Sequence, residues 1–127
     1  MSVTEKYIYT QEVVRALKLQ IHCMVQAAQK VDPSLELQKI EVCGSLGDML
    51  KGDRERFRTP CDSPQGNYSD LDVVLTFNKP DNQVRDILEK AEARHCPCVY
   101  MPRIGVHELV WNLPSHAPCT PDKRVVV

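Results

Sequence analysis

Two aspartates, one residue apart at the head of an apolar run, constrain this chain more than any other feature. Ser69-Asp70-Leu71-Asp72-Val73-Val74-Leu75-Thr76-Phe77 reads as a β-strand, because Val and Leu crowd it and alternation puts Asp70 and Asp72 on one face. Two carboxylates on one strand face beside an apolar run are costly unless positive charge stands between them. A divalent cation meets that need, and Asp oxygens suit Mg²⁺, which takes carboxylates together with the phosphates of a substrate. Upstream, Cys43-Gly44-Ser45-Leu46-Gly47 follows an apolar strand and precedes a short helix. Backbone N–H groups and the Ser45 hydroxyl can approach a phosphate there. The plainer alternatives are a solvated edge-strand face for Asp70 and Asp72, and an ordinary turn for Gly44-Ser45.

The rest of the chain supplies a frame for that stretch. Met1 to Tyr9 shows no strong pattern. From Thr10, a candidate N-cap, Val13, Val14, Leu17, Ile21, Met24, Val25 and Ala28 recur at three- and four-residue spacing, which predicts a long amphipathic helix ended by Asp32-Pro33. Leu35 to Val42 predicts a strand whose alternation slips around Lys39, as at a bulge or a late start. Ser45 to Lys51 is a short helix. Asp53 to Ser69, with Pro60, Pro64, Gly66 and Asn67, is a loop. After the acid-bearing strand and a turn at Asn78-Lys79-Pro80-Asp81, a helix capped by Asp81 or Asn82 runs to about Arg94, with Val84, Ile87, Leu88 and Ala91 as its stripe. Val99 to Arg103 and Val106 to Leu113 predict two strands around Gly105. Pro114 to Pro121 holds three prolines and suits neither a central strand nor a helix. Val125 to Val127 is an edge strand or a frayed end. The order predicts a single α+β domain over residues 1–127, a mixed sheet packed against helices in two layers.

Gly44-Ser45, Leu50-Lys51-Gly52 and Asp70-Leu71-Asp72-Val73-Val74 together resemble the signature of polymerase-β-type nucleotidyltransferases, in the branch of oligoadenylate synthetases and cyclic GMP–AMP synthase-like enzymes. The resemblance implies metal-dependent transfer of a nucleotidyl group from an NTP, ATP by preference, to a hydroxyl. It implies Mg²⁺ or Mn²⁺ on Asp70 and Asp72, with Gly44, Ser45 and Lys51 toward the nucleotide. A third carboxylate on a neighbouring strand completes such sites. Glu108, in Val106-His107-Glu108-Leu109-Val110-Trp111-Asn112-Leu113-Pro114, is the candidate, in a setting where the family usually has Asp; His107 would face the other way. The plain alternative for Glu108 is a surface residue, and for Lys51 a solvent-facing helix end. Two departures mark the chain. The segment 53–69 looks inserted between the serine and the first acid, and the helical lobe that follows the catalytic sheet in the family is not in this sequence, as in a fragment, an isoform or a minimal relative. Both departures, together with Glu at the third acid position, favour the rival expectation, a nucleotide-binding or protein-interaction module that kept the fold without turnover.

Composition narrows the partners. Net charge is −1, which argues against a generally basic nucleic-acid binder. A double-stranded nucleic acid activator, as the resemblance implies, would need a local patch. Arg54-Glu55-Arg56-Phe57-Arg58 is the one basic cluster, with Phe57 available to stack on a base or, more plainly, a solvated loop. No apolar run has the ~18 residues of a membrane span, and the N-terminus carries no signal-peptide core. The six cysteines therefore read as reduced thiols of a cytoplasmic or nuclear protein, with Cys43 a small core residue. His95, Cys96, Cys98, His107, His116 and Cys119 lie within reach of one another for zinc, but Cys-x-Cys lacks the usual zinc spacing, and idle thiols are the simpler expectation.

Overall fold

A computed structural model describes residues 3–53, 57–58, 69–92, 98–101 and 105–127, with side chains for 10–53, 57–58, 69–92 and 106–127. Helix α1 spans Val3–Val31, strand β1 Leu37–Cys43, helix α2 Gly44–Leu50 and strand β2 Leu71–Phe77. Helix α3 spans Asp81–Lys90, followed by strands β3 (Cys98–Met101), β4 (Gly105–Asn112) and β5 (Val125–Val126). The strands form one mixed sheet in the order β3-β4-β2-β1-β5. Strand β1 runs antiparallel to β2 and β5, β3 antiparallel to β4, and β2 parallel to β4. The parallel pair needs a crossover, which α3 begins. The expected two-layer α+β architecture is what the chain adopts.

The sheet buries one face against the helices because the strand periodicity matches the helix stripes. Val13, Leu17, Ile21 and Ala28 of α1 meet Val84 and Leu88 of α3, Val42 of β1, Leu71, Val73 and Leu75 of β2, and Leu109 of β4. Each such side chain contributes roughly 1.5–3 kcal/mol when taken fully out of water. Odd-numbered residues of β2 therefore look at the helices, and Asp72, Val74 and Thr76 look the other way.

Several boundaries differ from expectation for local reasons. Helix α1 begins at Val3, not Thr10, since nothing between them is a helix breaker. Thr10 is fully buried within the helix and is not its cap. Strand β1 starts at Leu37, and its ladder to β2 shifts between Leu37 and Lys39, so the slip in alternation reflects both a later start and an irregularity. Helix α3 stops at Lys90, with Glu92 at φ 55° just beyond it; the expected extension to Arg94 ends outside the described residues. Pro80 is the N-cap residue of α3, and Asp81 lies in the first turn. The proline-rich stretch makes two 3₁₀ turns, Pro114–His116 and Pro121–Lys123. The terminal valines form an edge strand: Val125 pairs with Val42, and Val126 with Glu41.

The cysteines depart most from expectation. Cys43 and Cys119 form a disulfide, with Cα atoms 6.5 Å apart and a sequence separation of 76. The reading of all six as reduced thiols is thus corrected for this pair, whereas Cys23 is free and exposed. The bridge draws the segment after β4 back across the sheet to the end of β1. Further bonds tie that segment down: Lys51 Nζ donates to the Asp122 carbonyl at 2.9 Å, and Arg124 Nη2 to the Cys119 carbonyl at 3.1 Å.

Candidate functional site

Register brings the two motifs together. Asp72 pairs across the antiparallel ladder with Cys43, the residue before Gly44. On its other side Asp72 lies beside Val110 of β4, and Leu71 beside Leu109. Extending that parallel register by one residue puts Asp70 alongside Glu108. Alternation then sets Asp70, Asp72 and Glu108 on the sheet face away from α1 and α3.

Gly44 occupies the tightest point of this arrangement. Its φ is +66°, and a Cβ built on it would lie 2.6 Å from Asp72 Oδ2. Only glycine permits both the left-handed backbone and the approach of the carboxylate. The chain turns here from β1 into α2, whose N-cap residue Cys43 makes no side-chain capping hydrogen bond. Ser45 is half-buried in the first turn.

The electrostatics bear on what this face can hold. Burial raises the pKa of Asp72 above the usual carboxylate value, and the charge on Asp70 raises it further. Both effects disfavour a second negative charge at this point, and a cation between the carboxylates would relieve both. The donor chemistry of Asp70 and Asp72 therefore fits a hard divalent ion. Among the described residues, however, no group of three or more His, Cys, Asp or Glu side chains is arranged to hold a metal. Glu108 is exposed and shares the face without closing a three-carboxylate cage.

Lys51 stands apart from Gly44-Ser45. At 1.5 Å rise per residue α2 separates it from Gly44 by about 10 Å, and its ammonium is engaged by the Asp122 carbonyl.

Arg58 and Ser69, described residues on either side of 59–68, are tied together. The Ser69 amide donates to the Arg58 carbonyl at 2.9 Å, and the Arg58 amide donates to Ser69 Oγ at 2.9 Å. The chain that leaves at Arg58 thus returns beside it, one residue before Asp70. Phe57 is fully buried and stacks on His107, with ring centroids 5.6 Å apart and planes 15° apart. It is therefore not the exposed base-stacking residue that the sequence suggested. Arg54, Glu55 and Arg56 lie outside the described residues. His107 does face away from Glu108, into the core, as alternation requires.

The zinc alternative loses two of its members. Cys119 is in the disulfide, and His107 is enclosed by Phe57. His95 and Cys96, and the side chain of Cys98, lie outside the description. His116 belongs to another cluster, past the C-terminal ends of β2 and β4. Ser115 donates to Asp81 Oδ2 from its amide at 3.1 Å and from its hydroxyl, and His116 Nδ1 is 2.8 Å from Ser115 Oγ. This is not a nucleophilic triad. A triad histidine reaches serine and carboxylate through different ring nitrogens, whereas here Nδ1 faces both; the cluster fastens a 3₁₀ turn to the start of α3.

Sequence reading missed Cys119 and Asp122 as neighbours of the Gly-Ser turn. Their placement depends on the return of the C-terminal segment, and no local pattern announces that.

No protein-family model, curated protein or solved structure matches this chain.

Proposed function

We propose that this domain is a metal-dependent nucleotidyltransferase core of the oligoadenylate synthetase-like kind, moving a nucleotidyl group from an NTP, with ATP as the expected donor, to a hydroxyl. One observation carries the proposal: Gly44 lies against the Asp72 carboxylate, and the β2–β4 register, continued one residue beyond Leu71 and Leu109, brings Asp70 and Glu108 to the same face. Asp70 and Asp72 would hold Mg²⁺ or Mn²⁺, which when bound would neutralise charge on the reacting phosphate. Gly44 and Ser45 would offer backbone N–H groups and a hydroxyl to the phosphates. Glu108 would accept the proton of the attacking hydroxyl. The new bond joins that oxygen to the α-phosphorus, and the α–β phosphoanhydride bond breaks with pyrophosphate as the leaving group. Lys51, held by Asp122, would reach the nucleotide only by leaving that carbonyl. Double-stranded nucleic acid is the proposed activator. Among the described residues no helix is long and apolar enough to cross a membrane.

The test is incubation with labelled ATP and GTP and Mg²⁺ or Mn²⁺, with and without double-stranded RNA or DNA. Labelled oligonucleotide or cyclic products that disappear in Asp70→Asn/Asp72→Asn support the proposal. A folded protein that gives no product in any arm refutes it. A second reading, a nucleotide-binding module without turnover, is favoured by the open third position at Glu108 and by the engaged Lys51. It predicts Mg²⁺-dependent NTP binding in the absence of product.

A further inference from the structure

His107 is the most buried polar side chain near the acid-bearing face, with no exposed surface. An apolar side chain would fill that place in the core without the cost of burying a ring nitrogen, so the hydrogen bond it makes is informative. His107 Nδ1 lies 3.1 Å from the Ser69 carbonyl. A carbonyl only accepts, so Nδ1 carries the proton. The Ser69 carbonyl belongs to the peptide that leads directly into Asp70. Phe57 fixes the ring plane by stacking, and Arg58 holds Ser69 through its amide and hydroxyl. Within β4, His107 also precedes Glu108. One buried imidazole thus connects the strand bearing Glu108 to the peptide that orients Asp70.

We infer that His107 is a positioning residue of the candidate site: its hydrogen bond to the Ser69 carbonyl sets the direction from which Asp70 meets a divalent cation and its bound nucleotide. This rests on the nucleotidyltransferase reading above. Groups that orient metal ligands from behind typically change metal affinity by about 10–100-fold when removed, and the effect here belongs in the Mg²⁺ dependence of nucleotide binding.

The experiment measures NTP affinity by calorimetry across a Mg²⁺ titration for the full chain, with thermal unfolding and circular dichroism as controls. The variants are His107→Leu, His107→Asn and Asp70→Asn/Asp72→Asn. Asparagine can present an N–H near the place of Nδ1, and leucine cannot. The expected result is a Mg²⁺-dependent gain in the native protein, lost in the double aspartate variant, weakened about tenfold in folded His107→Leu and largely restored in His107→Asn. If His107→Leu does not fold, His107→Gln replaces it, because its longer amide misplaces the donor, and the same split from His107→Asn is expected. Native-like Mg²⁺ dependence in folded His107→Leu, or equal values for His107→Asn and His107→Gln, overturns the inference alone. Absence of any Mg²⁺-dependent gain in the native protein, or its survival in the double aspartate variant, overturns the functional reading and the inference with it.

Discussion

Removing the Cys43–Cys119 bridge should cost this domain a large part of its stability. The cross-link closes a loop of 76 residues, and loop-closure entropy for that length corresponds to about 4–4.5 kcal/mol relative to an uncross-linked unfolded chain. Native stabilities run at about 5–15 kcal/mol, so the reduced protein would keep a slender margin. For a chain of this size a loss of about 4 kcal/mol corresponds to a fall of roughly 12–20 °C in Tm. Cys43→Ala/Cys119→Ala, unfolded in urea and by heat beside the native protein without reductant, tests the figure. Cys23→Ser, at an exposed free thiol, is the control and should shift stability by less than about 0.5 kcal/mol. Equal unfolding midpoints for bridged and unbridged protein would refute the entropy reasoning. Alkylation of both Cys43 and Cys119 in folded, unreduced protein would remove its premise. The same alkylation in cells reads the compartment, since a cytoplasmic or nuclear glutathione pool opposes such a bridge.

Three further outcomes follow from residues around the acids. Gly44→Ala should destabilise by about 1–3 kcal/mol and disturb Asp72. Urea midpoints measure this beside Gly52→Ala, which is strained at φ +110° through the backbone alone, since an added Cβ there would meet nothing within 4 Å. Phe57→Ala should cost about 3–5 kcal/mol as a fully buried ring is lost, and a loss below 1 kcal/mol would mean that the stack on His107 does not persist in solution. Burial holds the His107 pKa below its usual value, against the opposing Ser69 hydrogen bond and the Asp70 charge. The folded state therefore takes up a proton less readily than the unfolded one, and this contribution to stability is present above pH of about 6.5 and lost as pH falls below it. Urea midpoints at pH 7.5 and 5.5 should separate more for the native protein than for His107→Asn.

What could be read from the residues was whatever a local period encodes. The stripe from Val13 to Ala28, the acid–apolar run from Asp70 to Phe77 and the stripe from Val84 to Leu88 each predict their element, and the element order predicts two layers. The opposite facing of His107 and Glu108 follows from alternation alone. Pairings between distant segments were not legible. Nothing beside Cys43 names Cys119, and nothing in Lys51 names the carbonyl of Asp122. Phe57 stands among arginines, where a stacking residue for a base is a fair expectation, and only the fold shows that it packs inward. The start of α1 was missed because the residues from Val3 to Tyr9 have no breaker and no stripe, so helix continuity and local pattern disagreed.

The tie between Arg58 and Ser69 has a consequence for how such a chain can change over time. Two hydrogen bonds join residues eleven positions apart, and the second of them, Ser69, is the last residue before Asp70. Any change in the chain that carried Arg58 and Ser69 apart would therefore be felt one residue later, at Asp70, before it touched the strand itself.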